Sequence, residues 1–141
     1  MHLSVSPQPN GAELAYLGDA VLELLVRERL LFSGMRTAAK LNRAALSYVK
    51  ATAQSEAFSR IEGMLLDEEL DFYRRGRNAN GISIPKSASA VEYRRATGFE
   101  ALFGALYLAG EHERIKVLFE AAFPVGGAAQ TETNKTEDPQ K

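Results

Sequence analysis

Two acidic residues stand where their own helices offer them no partner. Asp19 lies inside AYLGDAVLELLV, and its neighbours at i−4, i−3, i+3 and i+4 are Ala15, Tyr16, Leu22 and Glu23, none of them a cation. Glu100 repeats the pattern in RATGFEALFGALYL, with Ala96, Thr97, Phe103 and Gly104 at the same offsets. A carboxylate beside a core face is costly unless it is paired, neutralised or bound to metal. Two of them brought together form an oxygen-only donor set suited to Mg²⁺ or Mn²⁺, with water and a phosphate completing the shell. The plainer reading stays open: each acid could pair with an arginine from elsewhere in the fold or face solvent, and Glu28 also lacks an intrahelical cation. Gly18, beside Asp19, costs its helix about 1 kcal/mol relative to alanine and points to a second backbone passing close by.

The elements that must position these acids are helices. Asn10 is an N-cap, with Glu13 completing a capping box, and the first helix is expected over about Gly11 to Ser33, stopped by Gly34. Thr37 caps a second helix carrying Leu41, Ala44, Ala45, Tyr48 and Val49, with a break before a further segment through Ala57, Phe58 and Ile61 that ends near Gly63. Asp67 is expected to cap a short helix from Glu68 to about Arg75. The stretch GRNANGISIPKSAS reads as a long loop, mobile and suited to binding. Val91 to about Ala109 and Glu111 to Phe123 complete the set, and no segment has the alternation of a strand. The fold class is all-α, with residues 1–10 a flexible N-terminus, 11–123 one domain and 124–141 a disordered polar tail.

Composition narrows the chemistry. The chain has 141 residues and no cysteine, which excludes a disulfide scaffold, thiolate metal sites and a cysteine nucleophile. His2 and His112 are expected at the surface, away from the chemistry. No export signal or membrane span is read, so the expected setting is cytoplasmic. The formal net charge is −1, yet it is unevenly spread: Arg74 to Arg95 holds six basic residues against Glu92 alone. One concentrated basic segment can hold a polyanion locally, or can be a solvated loop.

YLGDAVLE (Tyr16 to Glu23) and FEALFGALYL (Phe99 to Leu108) resemble the two acidic helices of the ribonuclease III catalytic domain family. LAYLGDA (Leu14 to Ala20), RRGRNA (Arg74 to Ala79), Pro85-Lys86 and YRRATGFEALFG (Tyr93 to Gly104) are similar, in order and spacing, to the Mini branch of that family, which lacks a separate double-stranded-RNA-binding domain. The resemblance implies the ribonuclease III endonuclease-domain helical fold and a homodimeric hydrolase of double-stranded RNA. It implies that Asp19 and Glu100 are catalytic and hold Mg²⁺, with Mn²⁺ as substitute, next to the scissile phosphate, leaving 5′-phosphate and 3′-hydroxyl ends. In the Mini branch the implied substrate is precursor 23S ribosomal RNA, with a ribosomal protein as a further possible partner and no membrane.

Two further acids of the larger family members are replaced here by Ala15 and Thr97, as in the Mini branch, which leaves a two-carboxylate site. The residues implied to bind RNA are Arg74, Arg75, Arg77, Asn78, Lys86 and Arg94, with Arg94 and Arg95 also candidates to pair with Glu92. For dimerisation, Leu14, Leu17, Val21 and Leu25 form one apolar face of the first helix and Leu22, Val26 and Leu30 another, one for the core and one for a symmetry mate. The rival readings are a catalytically silent RNA- or ribosome-binding module of the same fold, and a helical adaptor unrelated to RNA.

Overall fold

The computed structural model describes residues 1–86 and 89–126. Among these residues six helices follow in order: α1 Gly11–Phe32, α2 Ala38–Val49, α3 Ala51–Ile61, α4 Asp67–Arg77, α5 Ala90–Leu108 and α6 His112–Ala122, with a 3₁₀ turn at Glu62–Met64. Among the described residues there is no strand, and no helix is long and apolar enough to cross a membrane. The expected disorder of the tail falls mostly on residues 127–141, and part of the expected loop mobility on 87 and 88; both lie outside the described residues.

Local signals set most helix starts. Asn10 accepts from the Glu13 N–H at 2.8 Å while the Asn10 N–H donates to the Glu13 side chain at 2.9 Å, the reciprocal box expected at the head of α1. Thr37 accepts from the Lys40 N–H, and Lys50 breaks the chain between α2 and α3 with an extended backbone. α4 departs from expectation at both ends. Its cap is Leu66, whose N–H donates to Glu69 at 2.8 Å, and Asp67 is the first helical residue. Its C-terminus runs on to Arg77, so the connecting loop begins at Asn78.

α5 is the axis of the molecule. Phe99, Ala101, Leu102, Phe103, Ala105 and Leu106 are all fully buried, because α1, α3 and α4 surround it. Each phenylalanine or leucine thus enclosed contributes about 1.5–3 kcal/mol relative to exposure. The N-terminal segment, expected to be flexible, sends Leu3 into a satellite cluster with Leu14, Ala15 and Phe72, and the Met1 amino group pairs with Glu68.

The two apolar faces expected on α1 are both used inside the protomer. Leu14, Val21, Leu22, Val26 and Leu30 are buried, and Leu17 and Leu25 pack half-buried against the core. The reason is that α1 is contacted from three sides, by α5, α4 and α2. What α1 leaves in solvent is a different set, Tyr16, Leu24, Leu31 and Phe32.

Candidate active site

Backbone contact between α1 and α5 brings the two acids together. A Cβ placed on Gly18 would lie 1.7 Å from the Glu100 carbonyl oxygen, and one on Gly104 would lie 2.0 Å from the Leu14 carbonyl oxygen. Only hydrogen fits at either position, so the helices cross with their main chains touching. Asp19 follows Gly18 directly, and the crossing therefore sets its side chain beside Glu100. Further glycines draw α4 into the same packing: a Cβ on Gly11 would meet the Arg75 carbonyl at 2.1 Å, and one on Gly76 the Ala101 side chain at 2.5 Å.

The two carboxyl groups line an open cleft of about 290 Å³. Ala12, Ala15 and Tyr16 of α1 form one wall, Tyr93 and Thr97 of α5 the other, and Ile82 reaches over from the loop. Asp19 is exposed and Glu100 half-buried. Burial first, and then the neighbouring Asp19 through its charge and by accepting a hydrogen bond from the protonated form, together raise the Glu100 pKa from the usual 4.5 to about 9. Among the described residues no ion pair involves either acid.

Thr97 and Ala15, where the resemblance implies acids in larger family members, add no carboxylate to the cleft. The Thr97 hydroxyl donates to the Tyr93 carbonyl at 2.9 Å, inside its own helix, and Ala15 is buried without a polar atom. Among the described residues no group of three or more His, Cys, Asp or Glu side chains converges. The donor set is therefore two carboxylates with an open side toward solvent. That set fits a hard divalent cation, since two facing carboxylates without a cation are the arrangement such an ion neutralises.

Comparison with known proteins agrees with this geometry. Residues 12–111 match the Ribonuclease III domain, a span that contains both acids and the whole α1–α5 crossing. The chain belongs to the ribonuclease III family. Within that family it is 52% identical over 109 residues to a protein named Mini-ribonuclease 3 from Symbiobacterium thermophilum, covering 77% of this chain and 84% of the relative. It is 44% identical over 123 residues to a Mini-ribonuclease 3 from Thermoanaerobacter, covering 87% and 84%. A crystal structure of a Fusobacterium nucleatum protein superposes with a TM-score of 0.76 at 34% identity, over 84% of this chain and 96% of that one. The chain is accordingly a ribonuclease III-type endoribonuclease, a hydrolase acting on RNA.

The ribonuclease III framework places the expected RNA contacts in different states. Arg74 and Lys86 are exposed. Arg75 is paired with Asp71 at 3.0 Å, with its guanidinium 4.8 Å from the Phe72 ring centre. Arg77 lies over the Tyr73 ring and donates to the Asn78 side chain at 3.2 Å. Arg94 donates to the carbonyls of Arg77 and Ala79 at 3.2 and 3.1 Å, and Arg95 to the Ser55 carbonyl and the Ser59 hydroxyl. Neither Arg94 nor Arg95 takes the alternative role of pairing with Glu92 or a neighbouring acid, because backbone carbonyls at and just after the end of α4 and in α3 take those guanidinium groups instead. Tyr16 and Ile82 are cleft residues to which the sequence assigns no role, and Tyr93 lines the cleft from the stripe it shares with Thr97 and Glu100. For Tyr93 the signal is its helical stripe with Thr97, Glu100 and Gly104; for Ile82 it is a place as one of two isoleucines in a loop otherwise rich in glycine, asparagine and serine.

Proposed function

We propose that this chain cuts double-stranded RNA, with Asp19 and Glu100 holding Mg²⁺, or Mn²⁺ in its place, against the scissile phosphate. The observation that carries the reading is Glu100: a half-buried carboxyl facing a second carboxylate across an open cleft, with no cation supplied by the fold. A divalent cation bound there supplies a Lewis acid that lowers the pKa of water and stabilises charge on the phosphoryl oxygens. Around it, the chain's own residues do the rest. Glu100 gives up its proton as a ligand, Asp19 fixes the charge at the mouth, and the Gly18 and Gly104 contacts hold the two at a set separation. Water adds to phosphorus as the bond to the 3′ oxygen breaks, leaving a 5′-phosphate and a 3′-hydroxyl.

The substrate we assign is precursor 23S ribosomal RNA in the cytoplasm, from the likeness to proteins named Mini-ribonuclease 3. The chain acts in this reading as a homodimer that meets its mate through Leu24, Leu31 and Phe32, which lie apolar and exposed along α1. Two sites then face a duplex, and a ribosomal protein can help to present it.

The test is incubation of an RNA duplex with the wild type, Asp19→Asn and Glu100→Gln, in Mg²⁺ and in chelator. Cutting that needs the cation and disappears in both folded variants supports the reading. Binding without cutting by the wild type would make the chain a silent RNA-binding module, and neither binding nor cutting would remove RNA duplex as the ligand.

A further inference from the structure

The segment from Ser33 to Ser55 contains Arg36, Lys40, Arg43 and Lys50 and no acidic residue, a net of +4 in a chain whose total is −1. The spacing of three, four and seven residues sets them along one side of α2 and its two flanks. All four are exposed, while the opposite side of α2 packs Leu41, Ala44, Ala45 and Tyr48 against the core. Arg36 is steadied by the Leu31 and Met35 carbonyls at 3.1 and 3.0 Å. The side chains of Lys40, Arg43 and Lys50 make no ion pair or hydrogen bond among the described residues.

This face differs from the arginine cluster at the end of α4. There Arg75, Arg77 and Arg94 are already engaged by Asp71, Asn78 and two carbonyls. α2 holds cations whose only available counter-charge comes from outside the protein. Among the exposed positions between them, Ala39, Asn42 and Ser47 are small or polar and leave room for phosphates to approach, and Leu46 is the one large apolar side chain exposed there. No α2 residue lines the cleft, so whatever binds α2 does so away from the cutting site. From Arg36 to Lys50 the run extends about 20 Å along the helix axis, long enough to meet several phosphates of one strand.

We propose that α2 is a second RNA-binding surface, in which Lys40, Arg43 and Lys50 grip the sugar-phosphate backbone of the duplex away from the scissile bond. This rests on the duplex-RNA reading above. The grip is electrostatic and independent of sequence, so it adds affinity and salt dependence without changing the chemical step.

The experiment compares the full chain with its Lys40→Gln, Arg43→Gln, Lys50→Gln triple variant. Glutamine keeps the helix propensity, and circular dichroism confirms that α2 is retained. Anisotropy with a labelled RNA duplex in chelator, across a salt titration, gives the slope of log affinity against log salt. Loss of three phosphate contacts lowers that slope by about 2–3. Affinity at low salt falls at least tenfold, and the cleavage rate at saturating duplex in Mg²⁺ stays that of the wild type. Equal slopes and affinities for the two proteins would overturn the proposal while leaving the nuclease reading in place, and would be the result if α2 served an acidic protein. A wild type with no salt-dependent binding would overturn both.

Discussion

Glu69 and Glu100 are both helical glutamates held out of bulk water, and they end in opposite electrostatic states. Glu69 is 3% exposed and receives Arg114 through two bonds of 2.8 Å, Nε to Oε2 and Nη2 to Oε1, with the Leu66 N–H as a third donor. Burial alone would raise its pKa, but those donors outweigh it and hold the carboxyl below the usual range. Glu100 is less enclosed, yet its pKa is raised to about 9, because burial is joined by a second acid and no donor is supplied. The difference marks the role of each region. Where the fold delivers a cation to a buried acid, the acid is scaffold; where the fold delivers another acid, the site is left to be completed by something from solution.

The largest effect separates the two on activity. Glu100→Gln is expected to lower the cleavage rate by at least about a hundred- to a thousand-fold, whereas Glu69→Gln leaves the rate per folded molecule at saturating RNA unchanged. Single-turnover cleavage of one duplex measures both, and equal losses would erase the distinction.

Next in size is the contact that creates the Glu100 region. Gly18→Ala places a methyl on the Glu100 carbonyl, and the forced separation of α1 and α5 should cost more than about 3 kcal/mol, read by urea unfolding. At Glu69 the matching change is Arg114→Ala, which strands a buried carboxylate and should cost about 3 kcal/mol. A cost for it near zero would mean that Glu69 is not held as the two bonds indicate.

The two acids should also respond oppositely to pH in chelator. For Glu69 the folded pKa is depressed, so its contribution is complete above about 4.5 and is lost as pH falls through the folded value. For Glu100 the folded pKa is raised, so the fold is favoured below 4.5 and loses that advantage as pH rises toward about 9. The smallest effect follows: without divalent cations at neutral pH, Glu100→Gln should stabilise the protein by about 1–2 kcal/mol. A thermal melt showing destabilisation would contradict the raised pKa.

Much of the frame was legible because it is written within one turn of helix. Asn10 with Glu13, and Thr37 with the Lys40 N–H, are contacts three residues long, and they were readable from spacing. The start of α4 was misread at Asp67 because Glu69 both accepts from the Leu66 N–H and meets an arginine 45 residues away. Its end lies beyond the expected one near Arg75, because Gly76 seats against Ala101 in the fold and Arg94 reaches back to the Arg77 carbonyl. The cationic face of α2 was readable as an acid-free stretch, but a charge count over the whole first half hides it under the acids of α1 and α4.

The sequence by itself determined which acids lack a cation in their own helix, since pairing at three and four residues is a matter of spacing. It also determined that Gly18 and Gly104 invite close approach, because a missing Cβ is a property of the residue. Only the tertiary structure decided that the Gly18 and Gly104 contacts fall on one crossing, that Asp19 meets Glu100 there, and that Arg114 goes to Glu69 and no arginine to Glu100. Those partners are separated by tens of residues, and which of them meet depends on how the other helices pack with α5, a global property that no local spacing encodes.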